Sequence, residues 1–185
     1  MRTKLAVLTA ILPLLVLIVA KHYFFNVYPV PLIIEFIPAY YAPLCAPVSR
    51  LMKKPHPIDR GIMFRDKRLL GDGKTIEGTL VGIFAAVIVG YILLNDWLLG
   101  LTFGIGAMLG DILNSFIKRQ IGLKRGEHFL FFDELNFLFF PVLYAYFFLT
   151  ITIVDIIVLV MFALALHFIF DRIALSLNVK NKKEI

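Results

Sequence analysis

Two carboxylates and a run of bases stand out against an apolar chain in the segment 110–136, GDILNSFIKRQIGLKRGEHFLFFDELN. Asp111 closes a long apolar run. An ionised carboxylate near hydrocarbon is costly enough to be a functional-site hypothesis by default. On a helix advancing ~100° per residue, Asp111, Ser115 and Lys118 share one face, with Arg119 at its margin. Asp111 and Lys118 stand ~10 Å apart along such a helix, so one helix end can hold a cation on its carboxylate and a phosphate on its lysine. Asp133, with Glu134 or Asn136 as helper, brings a second carboxylate after the basic loop. Mg²⁺ suits such a donor set, because it takes oxygen ligands and is commonly held by one or two carboxylates plus substrate phosphates. Lys118, Arg119, Lys124 and Arg125 add the positive charge that a polyphosphate needs.

A second polar segment, Gly71-Asp72-Gly73-Lys74-Thr75-Ile76-Glu77-Gly78, opens another apolar run. Glycines around a Lys-Thr pair at a helix start favour an anion through backbone N–H groups and the lysine charge. The same residues also describe an ordinary loop with a helix cap. A P-loop is excluded, since Arg68 stands where that motif needs glycine and an apolar span follows. The four histidines (His22, His56, His128, His167) show no metal-ligand spacing.

The elements that must position these residues are membrane spans. Of 185 residues, 60% are hydrophobic and 14% aromatic, well above the ~45–50% apolar content of soluble domains. Mean hydropathy is +0.86. The net charge of +6 does not point to nucleic acid, because bases gathered in short loops between spans follow the positive-inside bias and also suit anionic lipids or nucleotides. The single Cys45 excludes an internal disulfide.

The expected fold is an all-α integral membrane protein, a bundle of five or six transmembrane helices with cytoplasmic loops forming the site. Residues 1–28 read as an apolar extension whose run 5–25 is a candidate extra span. Residues 29–178 form a single membrane-embedded domain, and 179–185 a basic cytoplasmic tail. Within the domain, 29–51 carries Pro29, Pro31, Pro38, Pro43 and Pro47, too many breaks for a regular helix. It is expected either to kink or re-enter and line a cavity, or to be a merely distorted span. Loop 52–78 precedes spans 79–94 and 97–116, and loop 117–135 precedes spans 137–153 and 156–177. Both charged loops then share the cytoplasmic face, while Asp96 and Asp155 mark the opposite turns.

Gly110-Asp111, Ser115, Lys118-Arg119 and Asp133 resemble the signature of the CTP-dependent phosphatidate cytidylyltransferase superfamily, and Lys74-Thr75-x-Glu77-Gly78 resembles its upstream loop. Pro38-Ala39-Tyr40, Pro57-Ile58-Asp59 and Leu70-Gly71-Asp72-Gly73-Lys74-Thr75 are most similar to its archaeal branch, the CDP-archaeol synthase family. The chain departs from bacterial members, which carry Asp-Arg-x-Asp where Asp133-Glu134-Leu135-Asn136 stands here. The resemblance implies a cell-membrane, multi-pass enzyme that transfers CMP from CTP to the phosphate of an isoprenoid ether lipid with the help of Mg²⁺. It implies catalytic roles for Asp111, Asp133 and Lys118, with both aspartates on the metal. It also implies substrate contacts from Lys74, Thr75, Glu77, Gly78, Ser115, Arg119 and Lys124. A CTP-dependent lipid or polyprenol kinase and a small ion transporter are the alternatives. A homodimer is compatible with the sequence.

Overall fold

A computed structural model describes residues 14–19, 21–24, 26–51, 55–124, 127, 129 and 132–176, with side chains described to residue 168 except at 50 and 51. Its helices are α1 (Leu14–Phe24), α2 (Val30–Cys45), α3 (Ile76–Leu94), α4 (Trp97–Gln120), α5 (Phe132–Phe148) and α6 (Ile153–Ser176). A 3-10 turn (Ala46–Leu51) follows α2, and a small antiparallel hairpin, β1 (Met63–Phe64) and β2 (Lys67–Arg68), sits in the loop before α3. The protein is therefore an all-α membrane protein. Val30–Ser49, Ile76–Leu94 and Trp97–Gln120 are long and apolar enough to cross a bilayer, and α5 and α6 add further apolar helix. Leu80, Phe84, Tyr91, Phe147 and Met161 lie exposed on the outside of the bundle, where lipid rather than water is the fitting solvent.

Small residues bring the helices together. Lipid tails give helices no hydrophobic reason to associate, so close backbone packing has to supply it. In α3, Gly78, Gly82, Ala86 and Gly90 recur every fourth residue and form the buried seam. In α4, Gly100 and Gly104 meet Ala86 of α3, whereas Gly106 and Gly110 meet Pro141 and Asn136 of α5. Helix α4 is thus wedged between α3 and α5. Phe36 of α2 and Phe103 of α4 complete the core, their ring centroids 4.8 Å apart.

Three expectations are corrected. For segment 29–51 the distorted span is the alternative that stands and the re-entrant one falls, because α2 is continuous from Val30 to Cys45 with Pro38 and Pro43 inside it. Pro31 falls in the first turn, where an N–H has no helical partner anyway, and Pro47 falls in the 3-10 turn. Nor does the segment line the polar cavity described below. Helix α4 runs a full turn beyond residue 116, so the second loop begins after Gln120 instead of at 117, and Lys118 and Arg119 stay on the helix face they share with Asp111. Helix α5 starts at Phe132 rather than 137, which places Asp133 in its first turn. The expected span 5–25 lies partly outside the described residues, as do Arg125, His128 and the tail.

The turns fix which end is which. Asn95 closes α3 in a left-handed conformation (φ 57°), and the Asp96 carboxylate accepts the Leu99 N–H at 2.9 Å to start α4. At the same end Tyr28 donates to Asp155 at 2.9 Å. The start of α3, the end of α4 and the start of α5 all meet at the opposite end.

Candidate active site

The loop before α3 is built on one buried carboxylate. Asp59 is 1% exposed and accepts backbone N–H bonds from Leu70 at 3.0 Å, Gly71 at 2.8 Å and Gly61 at 3.2 Å. The Arg68 guanidinium donates to it at 2.8 and 3.3 Å and to Asp72 at 2.9 Å. Arg68 first, against the cost of burial, and then the three N–H groups hold the Asp59 carboxyl well below its ordinary range. The loop shape around Gly71 (φ +84°) follows from this hub.

The Gly71–Gly78 segment divides its labour. Thr75 caps α3, accepting the Gly78 N–H at 3.1 Å, and stands 3.4 Å from the Ser49 hydroxyl. A Cβ on Gly78 would approach within 3.2 Å of Ala46 O, so Gly78 seats α3 against the 3-10 turn. Glu77 accepts the His56 N–H at 2.8 Å, with the His56 ring also against it. These three residues anchor the loop and do not line the cavity. Lys74 does, and its ammonium is bonded to Asp111.

On α4 the expected face is present. Asp111, Ser115, Lys118 and Arg119 line one cavity of about 450 Å³, together with Asn114. Across it, Asp133 of α5 accepts bonds from Lys118 Nζ at 2.8 and 3.1 Å, from Asn114 Nδ2 at 2.7 Å and from the Phe129 N–H at 3.0 Å. Asn136 also borders the cavity, as do Arg68 and Asp72 from the loop. Lys124 does not, being exposed with its backbone N–H on the Glu127 carboxylate at 2.8 Å.

Three elements therefore converge on one polar chamber at the end of an apolar bundle. Four bases (Arg68, Lys74, Lys118, Arg119) and three acids (Asp72, Asp111, Asp133) line it. Its volume lies in the ~300–1,000 Å³ range of small-molecule sites. The convergence depends on one close approach, since a Cβ on Gly110 would lie 1.9 Å from Asn136 O. Among the described residues no group of three His, Cys, Asp or Glu side chains gathers as a metal cage. The donor set nevertheless fits Mg²⁺: two carboxylates border the same chamber as Asn114, whose Oδ1 is buried without a partner. A buried unpaired carbonyl costs ~1–3 kcal/mol.

Asp59 and Asp72 entered the sequence reading only inside motifs, without a role of their own, and Arg68 and Asn114 were given no site role. Asn114 was legible, standing three residues from Asp111 on the same helical face. The role of Asp59 as a hub was not, because its partners are spread over a loop with no period.

Comparison with known proteins is consistent with this geometry. The family described as CarS-like CDP-archaeol synthase matches residues 24–95 and 91–183. A CDP-archaeol synthase of Sulfolobus acidocaldarius is 35% identical over 80% of this chain and 94% of its own. That of Staphylothermus marinus is 36% identical over 80% of this chain and 91% of its own. A solved structure described as an intramembrane enzyme for archaeal membrane lipids biosynthesis superposes with a TM-score of 0.64 at 31% identity, covering 80% of this chain and 92% of that one. Since the match spans α2 to α6 and the loops that build the chamber, the chain belongs to the CDP-archaeol synthase family.

Proposed function

We propose that the protein transfers CMP from CTP to the phosphate of 2,3-bis-O-geranylgeranyl-sn-glycerol 1-phosphate, giving CDP-archaeol and pyrophosphate at the cytoplasmic face of the cell membrane. The observation that carries this is the chamber itself, where Lys74–Asp111 and Lys118–Asp133 pairs from three elements meet at the end of the apolar bundle. A soluble nucleotide reaches such a chamber from water, and a lipid phosphate reaches it from the plane of the bilayer.

The nucleophile is already a phosphate oxygen, so the protein needs neither its own nucleophile nor a strong base. The lipid phosphate oxygen attacks the α-phosphorus of CTP, a new P–O bond forms, and the bond to the leaving pyrophosphate breaks. Positioning and charge neutralisation then provide the rate. Lys74, at the start of α3, grips the nucleotide phosphates, with Arg68 beside it. Lys118 and Arg119 draw the lipid phosphate into line from the last turn of α4, and Ser115 borders the same face. Asp111 and Asp133 would hold Mg²⁺, which when bound polarises the nucleotide phosphates and offsets the charge on pyrophosphate.

Purified protein given Mg²⁺, the ether lipid phosphate and CTP labelled at either the cytidine or the γ-phosphate tests this directly. Cytidine label in the lipid phase is expected, and Asp111→Asn should abolish it without lowering the yield of folded protein. γ-Label in the lipid would mean a kinase and overturn the mechanism. Transfer of neither label by folded protein would reject the enzyme assignment and favour the ion path. An ester lipid phosphate run alongside measures the preference for the ether.

A further inference from the structure

At the chamber wall Asn114 carries an oxygen that the residue roles above do not use. Asn114 is 6% exposed and borders the chamber, and its Oδ1 is buried with no hydrogen-bond partner. The orientation of the amide follows from its neighbour. An ionised carboxylate only accepts, so the end of Asn114 lying 2.7 Å from Asp133 Oδ1 is the NH2 group, and the carbonyl oxygen is left over. Asp111 stands three residues earlier on α4, a spacing that puts side-chain bases ~5–6 Å apart on one helix face. Asn114 thus sits between the two aspartates, bonded to one and adjacent on the helix to the other.

We infer that Asn114 Oδ1 is a third oxygen ligand in a divalent-cation seat with the Asp111 and Asp133 carboxylates. This rests on the metal role proposed above for the two aspartates and extends it. A neutral carbonyl is a chemically sensible third donor: Mg²⁺ takes oxygen ligands from carboxylates and amide carbonyls, and a third carboxylate would add charge to a chamber that must also accept phosphates. The Asn114 NH2 group meanwhile orients Asp133 by donating to its Oδ1 at 2.7 Å. One side chain then both ligates and aligns its fellow ligand. The Lys118 ammonium donates to both Asp133 oxygens, and the Phe129 N–H donates to Oδ2 alone.

The test is direct binding of Mn²⁺, a paramagnetic stand-in for Mg²⁺, to detergent-purified full-length protein, followed by loss of the free-ion resonance signal. Wild type should bind, and Asp111→Asn and Asp133→Asn should not. Asn114→Leu should weaken binding by about tenfold or more, the scale on which ligand-shell changes act. That loss alone would also follow if Asn114 only oriented Asp133, so Asn114→Cys separates the two. A thiolate prefers soft ions, so this variant should lose Mn²⁺ affinity yet gain a thiolate-to-cadmium charge-transfer band with Cd²⁺. Wild type, which already carries Cys45, should lack that band. A purely orienting role predicts weakened binding of both ions and no band, and would overturn the inference. Should Asn114→Leu fail to fold, the smaller Asn114→Cys decides alone. Mn²⁺ binding by Asn114→Leu equal to wild type, with Asp111→Asn silent, would remove Asn114 and leave the two-aspartate seat standing. Absence of Mn²⁺ binding by folded wild type would remove both.

Discussion

Replacing Gly110 by alanine probes the site at its tightest point. The added methyl would lie 1.9 Å from Asn136 O and 2.8 Å from its carbonyl carbon, both backbone atoms of α5. Carbon–oxygen contacts between packed backbones settle near ~3.3–3.6 Å, so α5 must withdraw by about 1.5 Å. Close-packed interiors transmit such a shift rather than absorbing it. Asp133 lies one turn away on the same helix, and its bonds from Lys118 at 2.8 Å and Asn114 at 2.7 Å would both open. A misplacement of ~1 Å in a positioned group costs up to ~100-fold in rate, and overpacking costs about 1–3 kcal/mol in stability. Gly110→Ala should therefore lower kcat roughly 100-fold and lower the thermal midpoint by several degrees. Gly100→Ala is the control: its methyl would meet Ala86 O at 2.6 Å at the other end of α4. It should lower the midpoint similarly and leave kcat per folded molecule unchanged. The assay is cytidine transfer into lipid, normalised to folded protein in detergent. A Gly110→Ala enzyme with wild-type kcat would refute the claim that the α4–α5 approach sets the site.

Asp59→Asn should loosen the loop that carries Lys74, because a buried acceptor of Arg68 and three backbone N–H groups loses its charge. Tryptic cleavage after Arg60 and Arg65 should accelerate roughly tenfold, the effect of breaking a buried pair discounted for the exposed side of Arg68. The folded-state pKa of Asp59 is depressed, so its contribution is fully present above the unfolded value of ~3.9 and is lost as pH falls below that. Trypsin-like cleavage needs neutral pH, so pepsin serves for the acid arm: resistance of the loop should fall with acid below about pH 4 in wild type and be absent at every pH in Asp59→Asn. Lys118→Met strips Asp133 of its ammonium partner and should cut kcat by ~10²–10³-fold, as loss of a transition-state charge partner does, with cytidine transfer as the readout; a loss below tenfold would remove Lys118 from the chemistry.

What the sequence revealed follows from which forces act locally. The face of Asp111, Ser115 and Lys118 was legible because the helical period is fixed by backbone geometry, and all three residues line the chamber. The period carries Asn114 as well, but an amide in an apolar helix draws notice only when its angle is compared with that of Asp111. The two alternatives for residues 71–78, phosphate site and helix cap, turn out to be divided between neighbours: Lys74 faces the chamber and Thr75 caps α3. Nothing local separates them, since the division depends on the Asp59 hub eleven and twelve residues before Leu70 and Gly71. The proline-rich segment 29–51 misled for a related reason. Proline penalties are measured for isolated or soluble helices, whereas inside α2 each proline forfeits one donor while packing against α3 and α4 holds the helix in place.

The pairing of the charges bears on how a membrane-edge site can handle a polyanion at all. A chamber lined by lysines alone would bury unpaired cations, and one lined by aspartates alone would repel phosphate. Here Lys74 is bonded to Asp111 and Lys118 to Asp133, with all four side chains mostly buried. On the proposed mechanism, each lysine turns from its aspartate to a phosphate as that aspartate takes its share of a cation, so every buried charge exchanges one partner for another and none is left bare. The two pairs share α4, which supplies Asp111 to one and Lys118 to the other, while Lys74 comes from the loop before α3 and Asp133 from the first turn of α5. On the proposed mechanism, Lys74, from the loop before α3, serves the nucleotide and Lys118, from α4, serves the lipid phosphate. The division predicts separable defects: substitution of Lys74 should fall mainly on KM for CTP, and substitution of Lys118 mainly on kcat. Steady-state kinetics with CTP varied at saturating lipid distinguishes them, and identical defects in both variants would contradict the division.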